Sequence, residues 1–373
     1  LTHIIPEIAC PFLPTKVSCM TFRNRVAYCF SIQYRIYTHP QSSVAQVALS
    51  YAHQATFDLD LALEDIKHAL KLSREDALIH ARLAELELSR GHLDAALTVA
   101  KEATRLNPEV ARTQTILGFA HLTQFETDEA KRAFSRAIAL DSADPLPRLG
   151  AGLAKIREGN LNEGTHEIEH AASLDPNNSL VRSYLGKAYF EEKRGGLASS
   201  EFALVKQLDP NDPTPWFYDA IRKQTENRPV EALHDLQKSI ELNDNRAVYR
   251  SKLQLDQDLA ARAATIGRIY NELDFRQLGL LHGWTSTTID PLDYSAHRLL
   301  ADSYLTLPRH ETARTSELLQ SQLLQLLNIT PVQPQLAEND LFLLGGLGPT
   351  QLSLNEFNPS FLRNPWCQNS CRL

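Results

Sequence analysis

Between residues 30 and 366 the sequence contains no cysteine: Cys10, Cys19, Cys29, Cys367 and Cys371 all sit towards the two ends. A disulfide framework would staple the body, so a small disulfide-built domain is excluded. The spacings also miss the paired short gaps of a zinc ribbon. No unbroken apolar run of about 18 residues occurs, which excludes a bilayer-spanning helix. Nor is there a basic excess. Lys and Arg number 38 against 45 Asp and Glu, a net charge of −7, which argues against nucleic acid as a principal partner. Apolar residues at 43% and charged ones at 22% exclude wholesale disorder and collagen-like structure. The sequence opens at Leu1 and its one methionine is Met20, which reads as a fragment or a shifted start. Residues 1–40 carry Pro6, Glu7, Pro11 and Pro14 where an export signal has a basic start and a continuous apolar stretch.

What the sequence does have is a beat. Small residues recur at Ala62, Ala96, Ala130, Gly164, Ala198 and Ala232 with a constant step of about 34 residues, a period typical of helical repeat arrays. A second small series, Ser50, Ala84, Gly118, Gly152, Gly186 and Ala220, keeps the same step, as do Ile66, Phe134, Ile168, Phe202 and Leu236 among the large apolar residues. Within one period the apolar positions fall at helical spacing in two segments parted by a short turn, which predicts two helices per unit. The small residues mark where those helices cross closely. Between units, Leu174-Asp-Pro-Asn, Leu208-Asp-Pro-Asn and Asp144-Pro145 supply N-caps and first-turn prolines.

This pattern resembles the tetratricopeptide repeat. Leu83, Ala84, Gly91, Leu93, Ala96, Ala100, Ala103, Leu106 and Pro108 form the best-matched unit. The resemblance implies an all-α fold, a right-handed α–α superhelix (a TPR solenoid) of six to eight helical hairpins, each of about 34 residues. The organisation expected is a poorly structured segment at 1–42, six tandem units over 43–246, an insertion at 247–259, two degenerate units over 260–327 and an irregular tail at 328–373. The insertion follows from the step between Ala232 and Gly279, which exceeds the period. The seventh unit carries Gly283 where a large apolar residue belongs. The eighth has Glu317 and Gln320 at core positions, so its second helix is expected to shift register or to act as a cap.

Three stretches are similar to a narrower group: those beginning at Trp216-Phe-Tyr-Asp-Ala, Leu305-Thr-Leu-Pro-Arg and Asn355-Glu-Phe-Asn-Pro. They resemble the repeat region of large Gram-negative envelope proteins, which place such repeats between a sensor-like domain and an outer-membrane β-barrel. The resemblance implies the periplasmic side of a bacterial envelope and a barrel in a longer parent; without it a cytoplasmic setting is expected.

The sharpest catalytic motif is His166-Glu167-Ile168-Glu169-His170, which satisfies H-E-x-x-H. One turn apart on a helix, the two histidines would share a zinc, with Glu167 as base. The phase, however, puts Ile168 at the buried position and both histidines towards solvent, and no third ligand in a dry cleft is apparent. The motif is read as coincidence, with zinc hydrolysis as the weakest of three functions. Gly150-Ala-Gly152 and Gly345-Gly-Leu-Gly-Pro lack the remaining elements of nucleotide loops, so no enzyme activity, cofactor or metal is expected.

In tetratricopeptide arrays the first helix of each unit lines a concave face. Mapping those positions gives Val47 and Tyr51, then Glu85, Thr115, Phe119, Leu122, Leu149 and Leu153, then Lys187, Phe190, Phe217 and Ile221. The proposed groove residues are Tyr51, Phe119, Leu153, Lys187, Phe190, Phe217 and Ile221. The family's carboxylate clamp wants a Lys and an Asn one turn apart on a first helix, and no unit has that pair. The function expected is therefore a non-enzymatic scaffold that binds a protein or peptide with apolar anchors. A structural spacer between sensor and barrel is the alternative.

Overall fold

The computed structural model describes residues 42–245, 255–305 and 307–324. The described residues form sixteen α-helices and no strand. They pair as α1 (Ser43–Ala55) with α2 (Leu59–Leu72), α3 (Ala77–Arg90) with α4 (Leu93–Leu106), and α5 (Ala111–Thr123) with α6 (Thr127–Leu140). Then come α7 (Pro145–Arg157) with α8 (Leu161–Leu174) and α9 (Ser179–Glu191) with α10 (Gly195–Leu208). The remaining hairpins are α11 (Pro213–Thr225) with α12 (Pro229–Glu241), α13 (Leu255–Glu272) with α14 (Arg276–Ile289), and α15 (Tyr294–Leu305) with α16 (Glu311–Leu324). Most of 1–42, the tail at 328–373 and all five cysteines lie outside the described residues. Helix α13 starts at Leu255, so 255–259, read from the phase as insertion, lengthens that helix instead.

Side chains start the helices as the punctuation predicts. Asp58, Asp76 and Asp144 accept hydrogen bonds from the backbone N–H of Leu61, Leu78 and Leu146, and Asn178 does so from Val181. Pro145 occupies the first turn of α7, where its missing N–H costs nothing. Between the helices of each hairpin one residue turns left-handed: Phe57, Gly91, Phe125, Gly159, Lys193 and Asn227, each one period after the last, then Asp274 and Arg309. Glycine fills that strained position at only two places, so the turn is imposed by packing of the flanking helices more than by local preference.

The first small series is fully buried at Ala62, Ala96, Ala130, Ala198 and Ala232. A Cβ on Gly118 or Gly150 would come within 2.6 or 2.3 Å of the Phe134 ring. Phe134 thus fills what two first helices leave open, and Leu122, Ala130 and Ala154 pack with it. Polar clasps keep the same phase. His53 pairs with Asp65 at 2.6 Å, Lys155 with Glu167 at 3.0 Å and Lys223 with Asp235 at 2.5 Å, each joining the two helices of one hairpin.

The chain divides into two compact units. Among the described residues the first holds α1–α10, and the second holds α11 from Trp216 onward together with α12–α16. In the second unit the place opened by Gly283 is filled from the next hairpin, since a Cβ there would meet Leu300 Cδ2 at 2.7 Å. Glu317 faces α15, where its carboxylate lies 2.5 Å from His297 Nδ1, and Leu319 and Leu323 of α16 point to solvent.

Candidate functional site

In the first unit the first helices touch one another across hairpins, α3 against α5, α5 against α7 and α7 against α9. They make a continuous row. Phe119 and Leu153 lie on it half-buried, each packed by one side on the Phe134 cluster, with the Phe119 ring edge-on to Phe134 at 5.0 Å between centroids. Leu146, Leu180, Tyr184 and Phe190 are half-buried on the same row. Lys187 is more enclosed than a wall residue needs to be, and its ammonium sits 5.3 Å from the centroid of the Tyr184 ring.

Tyr51 belongs to a different arrangement, an ionic cluster across α1, α3 and α5. The Arg82 guanidinium, 1% exposed, stacks 3.7 Å from the Tyr51 ring centroid and donates to both the hydroxyl and the carbonyl of Ser50. It also pairs with Glu85 at 3.1 Å. Arg112 Nη2 donates to Tyr51 Oη at 2.8 Å and to Glu85 Oε2 at 2.6 Å. Burial alone would raise the Glu85 carboxyl, but the charges and hydrogen bonds of the two arginines outweigh it and hold it below the ordinary carboxylate range. Burial pushes the Tyr51 phenol up against the opposing pull of Arg112.

Sequence reasoning missed Arg82 and Arg112. A signal for Arg82 was present: in phase with it stand Ala48, Ile116 and Gly150, so a guanidinium occupies a place the neighbouring units give to small or apolar residues. Phe217 and Ile221 are the reverse case. Both lie in the second unit and are 4% exposed, and the Arg262 guanidinium covers the Phe217 ring at 4.7 Å. They are core residues rather than accessible anchors, because α13 supplies a cover that the local pattern of α11 does not announce. His166 and His170 are exposed on α8 with Ile168 fully buried between them, and Glu167 is engaged by Lys155 and Arg148.

At the mouth of α7, burial pushes the Asp144 carboxyl up to about 6, against the Leu146 N–H bond and the Arg112 charge. A folded-state value above the unfolded one means that the folded chain binds the extra proton. This group's contribution is therefore present below the ordinary carboxylate range and is lost as the pH climbs from about 4 to about 6. Asp144→Asn keeps an oxygen for the cap and has no charge to bury. Chemical unfolding of both chains should show the variant gaining on the wild type across that interval, reaching about 1–2 kcal/mol at pH 7. Parallel profiles would show the carboxylate to be solvated.

The geometry defines an all-α superhelical repeat fold, that of tetratricopeptide-repeat proteins. Residues 82–145 match the family model of the tetratricopeptide repeat. The chain is similar in structure to a chain of the APC/C hetero-tetramer Cut9–Hcn1, with a TM-score of 0.65 at 15% identity over 84% of this chain. It spans 55% of that chain's length. Pseudomonas aeruginosa pilF is similar over 61% of this chain and 98% of its own, with 19% identity and a TM-score of 0.46. A tetratricopeptide repeat protein from Parabacteroides merdae is similar over 64% and 97%, with 16% identity and a TM-score of 0.46. No curated protein matches the sequence. Among the described residues no helix is long and apolar enough to cross a membrane.

Proposed function

We propose that the chain is a scaffold that binds an extended or helical polypeptide segment along the first-helix row of its first unit. One observation carries this: Phe119, Leu146, Leu153, Leu180, Tyr184 and Phe190 stand half-buried in succession on α5, α7 and α9, a wall of apolar surface with its helical backbone already hydrogen-bonded. Such a wall offers apolar surface and few charges, so partners would be chosen by apolar side chains at spaced positions. Tyr51, Glu85 and Arg112, half-buried around the enclosed Arg82, end the wall with a fixed polar cluster, and Lys187 is enclosed behind the wall surface. The similar chain stands in the Cut9–Hcn1 hetero-tetramer, which accords with an assembly role.

Panning a displayed library of random peptides of about 16 residues, long enough for several helical turns, on the full chain tests this. Enriched sequences should carry spaced apolar anchors, and Leu153→Ala with Phe190→Ala should weaken them at least tenfold, about 1.4 kcal/mol, in a chain whose helical circular dichroism is unchanged. Peptides that bind the double variant unchanged would defeat the reading.

The likeness of the Trp216 and Leu305 stretches to envelope-protein repeat regions supports a second setting, in which the array spaces a sensor domain from a barrel. The genomic reading frame on both sides of the chain decides that.

A further inference from the structure

Second helices of these hairpins mostly turn polar side chains to solvent, although at the place of Leu278 the helices α2 and α10 expose Leu61 and Leu197, 43% and 42%. At the place of Leu281, the helices α2, α4, α6 and α8 carry Glu64, Thr98, Arg132 and His166. At the place of Trp284 they carry Lys67, Lys101, Ser135 and Glu169. Helix α14 departs from this. Along it and at its two ends Phe275, Leu278, Leu281, Trp284 and Leu292 are 56%, 40%, 52%, 47% and 69% exposed, and Thr285 and Thr288 complete the outer face. Its one exposed ionic side chain, Arg276, is engaged by Asp274 at 2.8 Å at the helix start. The polar tip of Trp284 is already satisfied, since its Nε1 donates to Tyr304 Oη at 2.8 Å, so the ring presents only apolar surface.

We infer that α14 is a self-association surface, on which a second copy of this chain packs its own α14 antiparallel about a twofold axis. The occupant follows from the face itself. Like charges are what oppose a helix meeting its own copy, and between Leu278 and Thr288 the exposed face carries none. Reversal also makes the pattern self-complementary: Leu281 of one copy lies against Trp284 of the other, and Leu278 against Thr287. The area suffices. At the stated exposures the five side chains hold roughly 500 Å² of apolar surface, so two copies bury about 1,000 Å² before any rim is counted, the threshold of a specific interface. This surface lies on a second helix, apart from the wall proposed for polypeptides, and the two readings stand or fall separately.

Sedimentation velocity on the full chain between about 1 and 100 μM tests the inference. The wild type should sediment as a dimer at the upper end. Leu281→Glu and Trp284→Lys should each weaken association at least 30-fold, about 2 kcal/mol, with the helical circular dichroism unchanged. The two together should restore it, because the carboxylate introduced at position 281 of one copy then faces the ammonium introduced at position 284 of the other. A wild type that stays monomeric at about 100 μM overturns the inference, and an acrylamide-shielded fluorescence component that Trp284→Phe removes from that monomer would identify another part of the chain as the cover. A dimer indifferent to either single substitution overturns it too.

Discussion

Arg82→Ala is expected to lower the stability of the first unit by about 3–5 kcal/mol, read as a fall in the urea midpoint of its unfolding. The guanidinium is 1% exposed and serves four groups at once: the Tyr51 ring, the Ser50 hydroxyl, the Ser50 carbonyl and the Glu85 carboxylate. Alanine leaves a void and a carboxylate whose remaining cation is Arg112. Arg82→Lys should recover little, because a compact ammonium cannot stack flat on Tyr51 while bonding Ser50 twice. Since Glu85 titrates below the ordinary carboxylate range, the stability it brings is present above that range and is lost on acidification through its depressed value. The gap between wild type and Arg82→Ala should narrow in acid accordingly. A loss under about 1 kcal/mol at neutral pH would reduce the cluster to a solvated surface pair.

The period was legible because helix crossings leave no choice of side chain. The series at Ala62, Ala96, Ala130, Gly164, Ala198 and Ala232 announces itself by size alone, and it placed the hairpins as the structure has them. The left-handed turns were not legible, since Phe57, Phe125, Lys193 and Asn227 hold them where only Gly91 and Gly159 would have signalled a positive φ. The candidate site divides in the same way. Phase alone puts Phe119, Leu153 and Phe190 on the first-helix row, and the structure has them half-buried there. The ionic rim was missed because a charge on a helix is ordinarily a solvated one. Arg82 becomes internal only when Tyr51, from the hairpin before it, and Arg112, from the hairpin after it, close around Glu85.

Gly164 is a place where two backbones meet with nothing between them. A Cβ built there would stand 2.7 Å from the Gly152 carbonyl oxygen and 2.4 Å from Ile156 Cγ1, and one on Gly152 would stand 2.7 Å from the Gly164 oxygen. A flexible side chain can swing away from such an approach, whereas a helix carbonyl held by its own ladder cannot. Gly164→Val must therefore part α7 from α8 and reopen the contact around Ile168, a fully buried side chain of the same crossing. We expect a cost of about 3–4 kcal/mol, at the upper end for overpacking, despite the gain in helix propensity over glycine. Gly196 in the first turn of α10 supplies the control, because nothing lies within 4 Å of a Cβ there. Gly196→Ala should be neutral or stabilising by up to about 1 kcal/mol. Equal effects at the two glycines would mean that propensity, and not the crossing, sets the period's small positions.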